Sequence, residues 1–168
     1  MAGSMLSVMV GRAPPGARLA ISRPTDPPTS AIVVIELGGR PSVAMPVPGV
    51  AATYELRLTR DEAGTPVILL RQPLIASEAQ ATLAAPGRVR RQAAFPARGI
   101  GPNGAADRVV LVPKEAPVEA LGPSFFPAEN VEATLDAPDT PGNYELRYVM
   151  NAPLAEGRIL ARQAVTVE

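Results

Sequence analysis

The sequence predicts an all-β protein made of two antiparallel β-sandwich domains in tandem. Its 168 residues include 14 glycines and 20 prolines, which interrupt nearly every window long enough to form a helix. Short runs rich in β-branched residues lie between these turn formers, as is typical of strands. The same blocks of sequence also occur twice, 90 residues apart, which indicates a duplicated structural unit.

Two blocks define the repeat because they keep their spacing. The segment from Met45 to Arg57 contains Met-Pro-Val-Pro and Tyr-Glu-Leu-Arg, and the segment from Leu135 to Arg147 contains Leu-Asp-Ala-Pro and Tyr-Glu-Leu-Arg. After a slip of one residue, Ile-Leu-Leu-Arg-Gln at 68–72 aligns with Ile-Leu-Ala-Arg-Gln at 159–163.

A third block sets the expected domain boundaries. Ile32–Ile35 matches Val109–Val112 at an offset of 77, so the second copy is expected to carry about 13 extra residues at 117–130. The predicted domains are residues 5–77, the first repeat, and residues 78–168, the second repeat, joined with almost no linker. We expect about seven strands in each.

Strands are expected in the same order in both repeats. In the first they cover Ala31–Leu37, the segment 54–59 and Val67–Ile75, and in the second Arg108–Val112, the segment 144–148 and Arg158–Val167. Tyr54, Leu56 and Leu58 alternate with polar residues, and the second repeat does the same from Tyr144. This period of two predicts one buried and one solvated face, with Arg57 and Arg147 on the solvated one.

A tyrosine opens the equivalent strand of each repeat. Pro138, Gly142 and Tyr144 have the spacing of a tyrosine corner, in which the hydroxyl binds a backbone group a few residues upstream. Pro48 and Tyr54 take the same places in the first repeat. A role for these hydroxyls as acids is the less favoured alternative.

The second repeat resembles a known family over most of its length. Asp136–Val149, with Gly101–Pro113 before it and Arg158–Arg162 after it, is similar to the immunoglobulin-like (Ig-like) β-sandwich modules of bacterial proteins that also carry a von Willebrand factor A domain. The resemblance covers 15–77 more weakly. It implies two tandem Ig-like sandwiches, a non-catalytic accessory role and a parent protein of the bacterial envelope or a secreted one. The metal-binding Asp-x-Ser-x-Ser motif of the A domain does not occur here.

Composition excludes most cofactor and metal chemistry. The chain has no Cys and no His, so thiolate nucleophiles, histidine bases and imidazole metal ligands are absent. Gly99–Gly104 matches the dinucleotide pattern G-x-G-x-x-G, but it contains Pro102 and precedes a strand, not a helix. We expect no cofactor.

The acidic residues do not form a metal-ligand pattern either. Asp107, Asp136 and Asp139 are the only plausible calcium ligands, and no run of alternating aspartates joins them. We therefore expect no metal ion.

Charge and hydropathy argue against nucleic acid and membrane partners. Basic and acidic residues number 16 each, so bulk attraction to phosphate is absent. The one basic cluster, Arg88, Arg90, Arg91 and Arg98, is best explained as strand-edge charge. The apolar stretch Met5–Val10 is too short for a secretory signal or a membrane span.

Phe125 and Phe126 stand side by side between prolines in the expected insertion. Adjacent residues cannot easily both face inward on a strand. One is expected to fill the sandwich or the seam between the domains, and the other to contact the first domain or a partner.

These observations predict a non-catalytic interaction or scaffolding module whose partner is a protein or another domain of its parent. The alternative is a structural subunit, such as a virion decoration or filament protein. A carboxylate-based hydrolase, using acids such as Glu115, Glu119, Glu129 and Glu132, is a remote third possibility. The resemblance favours a periplasmic, cell-surface or secreted location, and the opening Met-Ala-Gly-Ser-Met suggests a fragment of a longer protein.

Overall fold

The computed structural model describes residues 1–168 and contains fourteen strands and no helix, which confirms the all-β fold class. All strand pairs but one are antiparallel; the exception is a two-residue pair. No helix that could cross a membrane is present.

The first repeat contributes two sheets. Its strands are β1 (Met5–Met9), β2 (Arg18–Ser22), β3 (Val33–Glu36), β4 (Ser42–Pro46), β5 (Ala52–Glu62) and β6 (Thr65–Ala76). One sheet has the order β1-β4 and the other the order β3-β2-β5-β6.

The second repeat contributes the other two sheets. Its strands are β7 (Thr82–Ala84), β8 (Arg88–Val89), β9 (Ala94–Ile100), β10 (Arg108–Pro113), β11 (Ser124–Phe125), β12 (Glu132–Asp136), β13 (Gly142–Ala152) and β14 (Ala155–Val167). One sheet has the order β12-β9-β7 and the other β11-β10-β13-β14-β8. The repeats therefore hold six and eight strands, compared with the expected number of about seven in each.

The strand order of the second repeat matches that of an immunoglobulin sandwich. The neighbours β10-β13-β14 correspond to its C, F and G strands, and β7-β9-β12 to its A, B and E strands. Inward side chains from both sheets, such as Phe95 of β9 and Leu146 of β13, meet in one buried apolar cluster.

No sheet combines strands from both repeats. The buried apolar cluster nevertheless runs through both repeats, and the division into two domains stays a prediction.

The alignment with an insertion in the second repeat is wrong. Ala20 of β2 lies opposite Arg57, and Val110 of β10 lies opposite Arg147, so β10 is the counterpart of β2 at an offset of 90. The β-branched run Ile32–Ile35 resembles Val109–Val112 only because both are apolar strands. With the correct pairing, 117–130 corresponds to 27–40 and nothing is inserted.

Small residues close the seam between the repeats. The Gly49 amide donates to the Pro153 carbonyl at 2.8 Å. A Cβ built on Gly49 would lie 2.6 Å from that of Ala155 and 2.9 Å from Cε of Met150. Because these distances leave no room for a side chain, the two backbones pack directly against each other here.

Candidate functional site

Both tyrosines have the geometry of a tyrosine corner. The Tyr54 hydroxyl donates to the Val50 carbonyl at 2.8 Å, and the Tyr144 hydroxyl to the Thr140 carbonyl at 2.9 Å. Both rings are buried. Each hydroxyl thus ties the preceding loop to its own strand, and neither faces a cleft in which it could act on a substrate.

The residues predicted around these corners have different surroundings. Pro48 is buried, and its carbonyl accepts from the Gly3 amide at 3.2 Å, whereas Pro138 is half-buried and its carbonyl faces the Gln92 amide at 3.4 Å. Gly142 has a φ of +154°, a conformation that side-chain-bearing residues rarely adopt.

Replacing Tyr144 by phenylalanine is expected to lower the free energy of unfolding by roughly 1–3 kcal/mol. The change keeps the ring and leaves the carbonyl of Thr140 without its donor. Urea unfolding measures the effect, with Tyr54→Phe as the matched change in the first repeat. An unchanged midpoint for both variants would contradict a stabilising role for the corner bonds.

Arg57 and Arg147 are buried, so the prediction that they lie on a solvated face is wrong. The side chain of Arg147 is only 3% exposed. It donates to the carbonyls of Lys114, Ala116 and Pro117 at 2.8–3.2 Å and to Glu145 at 3.1 Å. The cause is that the loop 114–123 folds over the outer face of the sheet and replaces water there.

The first repeat contains the same arrangement. Arg57 donates to the carbonyls of Arg23, Asp26 and Pro27 at 2.9–3.2 Å and to Glu55 at 2.8 Å. The bonded loop positions differ from those in the second repeat by 90 or 91 residues. A guanidinium suits this role because its five N–H donors are held in one rigid plane.

The glutamates beside these arginines are held in the charged form. The hydrogen bond from Arg57 lowers the pKa of Glu55, assisted by Arg71. Burial alone would raise the pKa of Glu145, but the hydrogen bonds from Arg162 and Arg147 outweigh it and lower it. Each glutamate is therefore part of a structural ion pair and not a proton donor poised for catalysis.

Stability is expected to fall in acid because of these two glutamates. Their pKa values are below the ordinary 4.5 in the folded chain, so the stabilisation is complete above about pH 4.5 and is lost as the pH drops through the folded values. Urea unfolding between pH 6 and pH 3 tests this. The double variant Glu55→Gln, Glu145→Gln should show a shallower acid dependence, and Glu129→Gln at an exposed position should not. An equal slope for all three proteins would contradict the assignment.

A buried carboxylate in the second repeat organises the loop before β10. Asp107 is fully buried and accepts from the amides of Gly104 and Asn151, each at 2.9 Å, and from the Tyr148 hydroxyl at 2.8 Å. Burial, and then the hydrogen bond with Asp107, raise the pKa of the Tyr148 phenol. Both carboxylate oxygens of Asp107 therefore accept hydrogen bonds from the protein itself. No group of acidic residues that could hold a metal ion is present.

The G-x-G-x-x-G segment serves packing. A Cβ on Gly99 would lie 2.4 Å from Cγ2 of Val109, and one on Gly101 would lie 2.6 Å from Cζ of Tyr148. The glycines are required because β10 and the Tyr148 ring press against the backbone. The segment covers no helix N-terminus.

Phe125 and Phe126 differ in burial. Phe125 is buried in the apolar cluster and pairs with Val109 at the edge of the five-stranded sheet, whereas Phe126 is 48% exposed. The seam is closed by other residues, including Gly49 and Pro153. Phe125 therefore fills the sandwich, one of the two places predicted for it, and a contact of Phe126 with the first domain or a partner stays a prediction.

The acidic residues considered for hydrolysis and the basic cluster are at the surface. Glu115, Glu119, Glu129 and Glu132 are exposed. Arg88 and Arg98 form exposed ion pairs, with Glu168 and Glu132 respectively, at 3.3 Å.

The feature that sequence reasoning missed is an open groove in the first repeat. β1 pairs only with β4, and β6 pairs only with β5, so each has a free edge. Between them lies an apolar cavity of about 310 Å³, which we call the open groove. Most of its lining is apolar, and the polar side chains of Arg12 and Gln72 also line it; the apolar residues are Val8, Met9, Val10, Leu19, Leu56, Leu58 and Leu70.

Comparison of the sequence with known protein-family models found no matching family, and comparison with curated proteins found no matching relative.

Proposed function

We propose that this protein is a non-catalytic polypeptide-binding module that accepts an extended segment of another protein in the open groove. The observation that carries the proposal is the free edge of β1 beside an apolar cavity. Unpaired N–H and C=O groups on a sheet edge bind an added strand through main-chain hydrogen bonds, and a neighbouring pocket selects its side chains.

The surroundings of the groove support binding in preference to catalysis. Leu70 is 61% exposed and Met9 is 86% exposed, so apolar surface here is open to a partner. The acidic side chains considered for hydrolysis are dispersed over the exposed surface. The resemblance to Ig-like modules of von Willebrand factor A proteins leads us to place this module in a larger bacterial envelope or secreted protein.

Panning a library of random nine-residue peptides against the full chain tests the proposal. Leu70→Arg places a charge in the groove at an exposed position, and Leu121→Arg is the matched control because Leu121 is 86% exposed in the second repeat. We expect peptides that bind the parent chain and Leu121→Arg but not Leu70→Arg. Peptides that bind all three proteins equally, or no enrichment, would overturn the proposal.

Self-assembly would favour the structural-subunit alternative. β6 is a long edge strand with Leu69, Leu70 and Ile75 exposed, and such edges can pair with each other. Sedimentation of the parent chain and of Leu70→Arg distinguishes the two roles. A binding module remains a monomer at micromolar concentration, whereas a filament subunit forms chains that Leu70→Arg dissolves.

A further inference from the structure

The loop before β10 contains the one asparagine of the chain that precedes a glycine, at Asn103–Gly104; the others precede Val131, Tyr144 and Ala152. Asparagine is chemically labile because the next backbone nitrogen can attack its side-chain amide. The N–Cγ bond forms, the Cγ–Nδ2 bond breaks, and ammonia leaves with the proton of that nitrogen. Water then opens the succinimide to aspartate or isoaspartate. A following glycine favours the attack, since no Cβ restricts its backbone.

Hydrogen bonds hold each reacting group of this step in the folded chain. The attacking nitrogen, that of Gly104, is buried and donates to Oδ2 of Asp107 at 2.9 Å. The side-chain oxygen of Asn103 accepts from the Gly101 amide, two residues upstream, at 3.1 Å. The Asn103 amide donates to the Tyr148 hydroxyl at 2.8 Å. Ring closure needs the Gly104 nitrogen to lose its proton and the Asn103 side chain to turn toward it, so these bonds must break first.

The folded loop also has no room for the products. A Cβ built on Gly104 would lie 2.6 Å from the Gly3 carbonyl oxygen, so the loop packs directly on the backbone of the first repeat. Isoaspartate lengthens the main chain by a methylene group, which this contact cannot accommodate. Aspartate would instead place a second carboxylate at the Tyr148 hydroxyl, which lies 2.8 Å from Asp107 and 3.2 Å from the Asn103 side-chain oxygen. Two like charges that share one site destabilise each other.

We infer that Asn103–Gly104 is a site of spontaneous deamidation that the folded chain protects and that opening of the loop 101–107 makes reactive. The reaction needs water alone, and it proceeds in the fraction of chains whose loop is open. Because its products do not fit the closed loop, a chain that has reacted stays loosened where the loop meets the first repeat. The extent of deamidation therefore increases with the time that the chain has spent open. This inference does not depend on the proposed function.

Peptide mapping by mass spectrometry, after incubation in mildly alkaline buffer, measures deamidation of the full chain when folded and when held unfolded in urea. We expect the reaction at Asn103 to be at least tenfold slower in the folded chain, because only the open fraction reacts. Tyr148→Phe removes the acceptor of the Asn103 amide and should raise the folded-state rate several-fold. Tyr144→Phe is the matched control, because it removes a hydroxyl of the same repeat that binds the Thr140 carbonyl instead, and it should raise the rate less.

A second measurement tests the effect of the product. Asn103→Asp should lower the urea midpoint of the folded chain, whereas Asn143→Asp, at an exposed position, should leave it unchanged. An Asn103→Asp chain as stable as the parent would overturn the inference.

The rates provide the other decisive outcomes. Equal rates in the folded and unfolded parent chain, or a faster rate in the folded chain with Asp107 acting as the base, would overturn the inference. Equal acceleration by Tyr148→Phe and Tyr144→Phe would also overturn it, because global unfolding would then control the reaction. The comparison of folded with unfolded parent chain needs no variant, so it decides the matter even if Tyr148→Phe does not fold.

Discussion

Replacing Arg147 by methionine is expected to lower the free energy of unfolding by about 3–5 kcal/mol, the usual cost of breaking a buried ion pair, because three carbonyls lose their donor as well. A methionine side chain fills most of the space but cannot donate a hydrogen bond. The carbonyls of Lys114 and Ala116 would lose their donor, and Glu145 would lose its buried partner. We expect the loop 114–123 to detach from the sheet, which hydrogen exchange of its amides would detect.

Arg162→Met is the matched control for this variant. Arg162 binds the same oxygen of Glu145, at 2.7 Å, but its side chain is 51% exposed, and exposed ion pairs contribute about 0–1 kcal/mol. The two variants therefore each remove one partner of the same carboxylate, a buried one in Arg147→Met and an exposed one in Arg162→Met. Equal losses of stability, or a loss under about 1 kcal/mol for Arg147→Met, would show that the carbonyl bonds do not hold the loop.

Replacing Asp107 by alanine is expected to destabilise the chain by about 3–5 kcal/mol, because several buried donors lose their acceptor at once. The amides of Gly104 and Asn151 and the Tyr148 hydroxyl all point at this carboxylate. Asp107→Asn should fall between the parent chain and alanine, since one amide oxygen still accepts while the NH₂ group faces donors.

Thermal and urea unfolding measure this series. Asp136→Ala is the control, because Asp136 is exposed at the end of β12, and it should change stability by less than about 0.5 kcal/mol. A neutral Asp107→Ala variant would mean that water replaces the carboxylate without loss and that the network does not stabilise the fold.

The fold class could be predicted from the sequence because its signals are local. Alternation from Tyr54 to Leu58 and the repeated spacing around Tyr144 place strands correctly whatever surrounds them. Strand register is not a local property. The short runs at 32–35 and 109–112 are alike in composition, but the strand opposite Arg57 is β2, whereas the strand opposite Arg147 is β10. The alignment of the repeats therefore depends on strand pairing.

Burial of the arginines and the open groove depend on what lies over each sheet. Alternation assumes water on the outer face, and it fails at Arg147 because a loop covers that face. The identical Glu-Leu-Arg in both repeats was the available signal, since a charged pair kept twice suggests fixed partners. The groove had no such signal, because it depends on whether a strand lies beside β1, as β7 lies beside β9.

The buried arginines Arg57 and Arg147 affect how freely the amino-acid sequence of the surface loops can change. Apart from the link to a neighbouring glutamate, the guanidinium of Arg147 holds main-chain oxygens alone, and every amino acid supplies such an oxygen. Outward-pointing side chains between 114 and 120 can therefore drift, or be exchanged by design, while the loop keeps its path. The sandwich is thus a frame on which new recognition sequences can be grafted at two equivalent places.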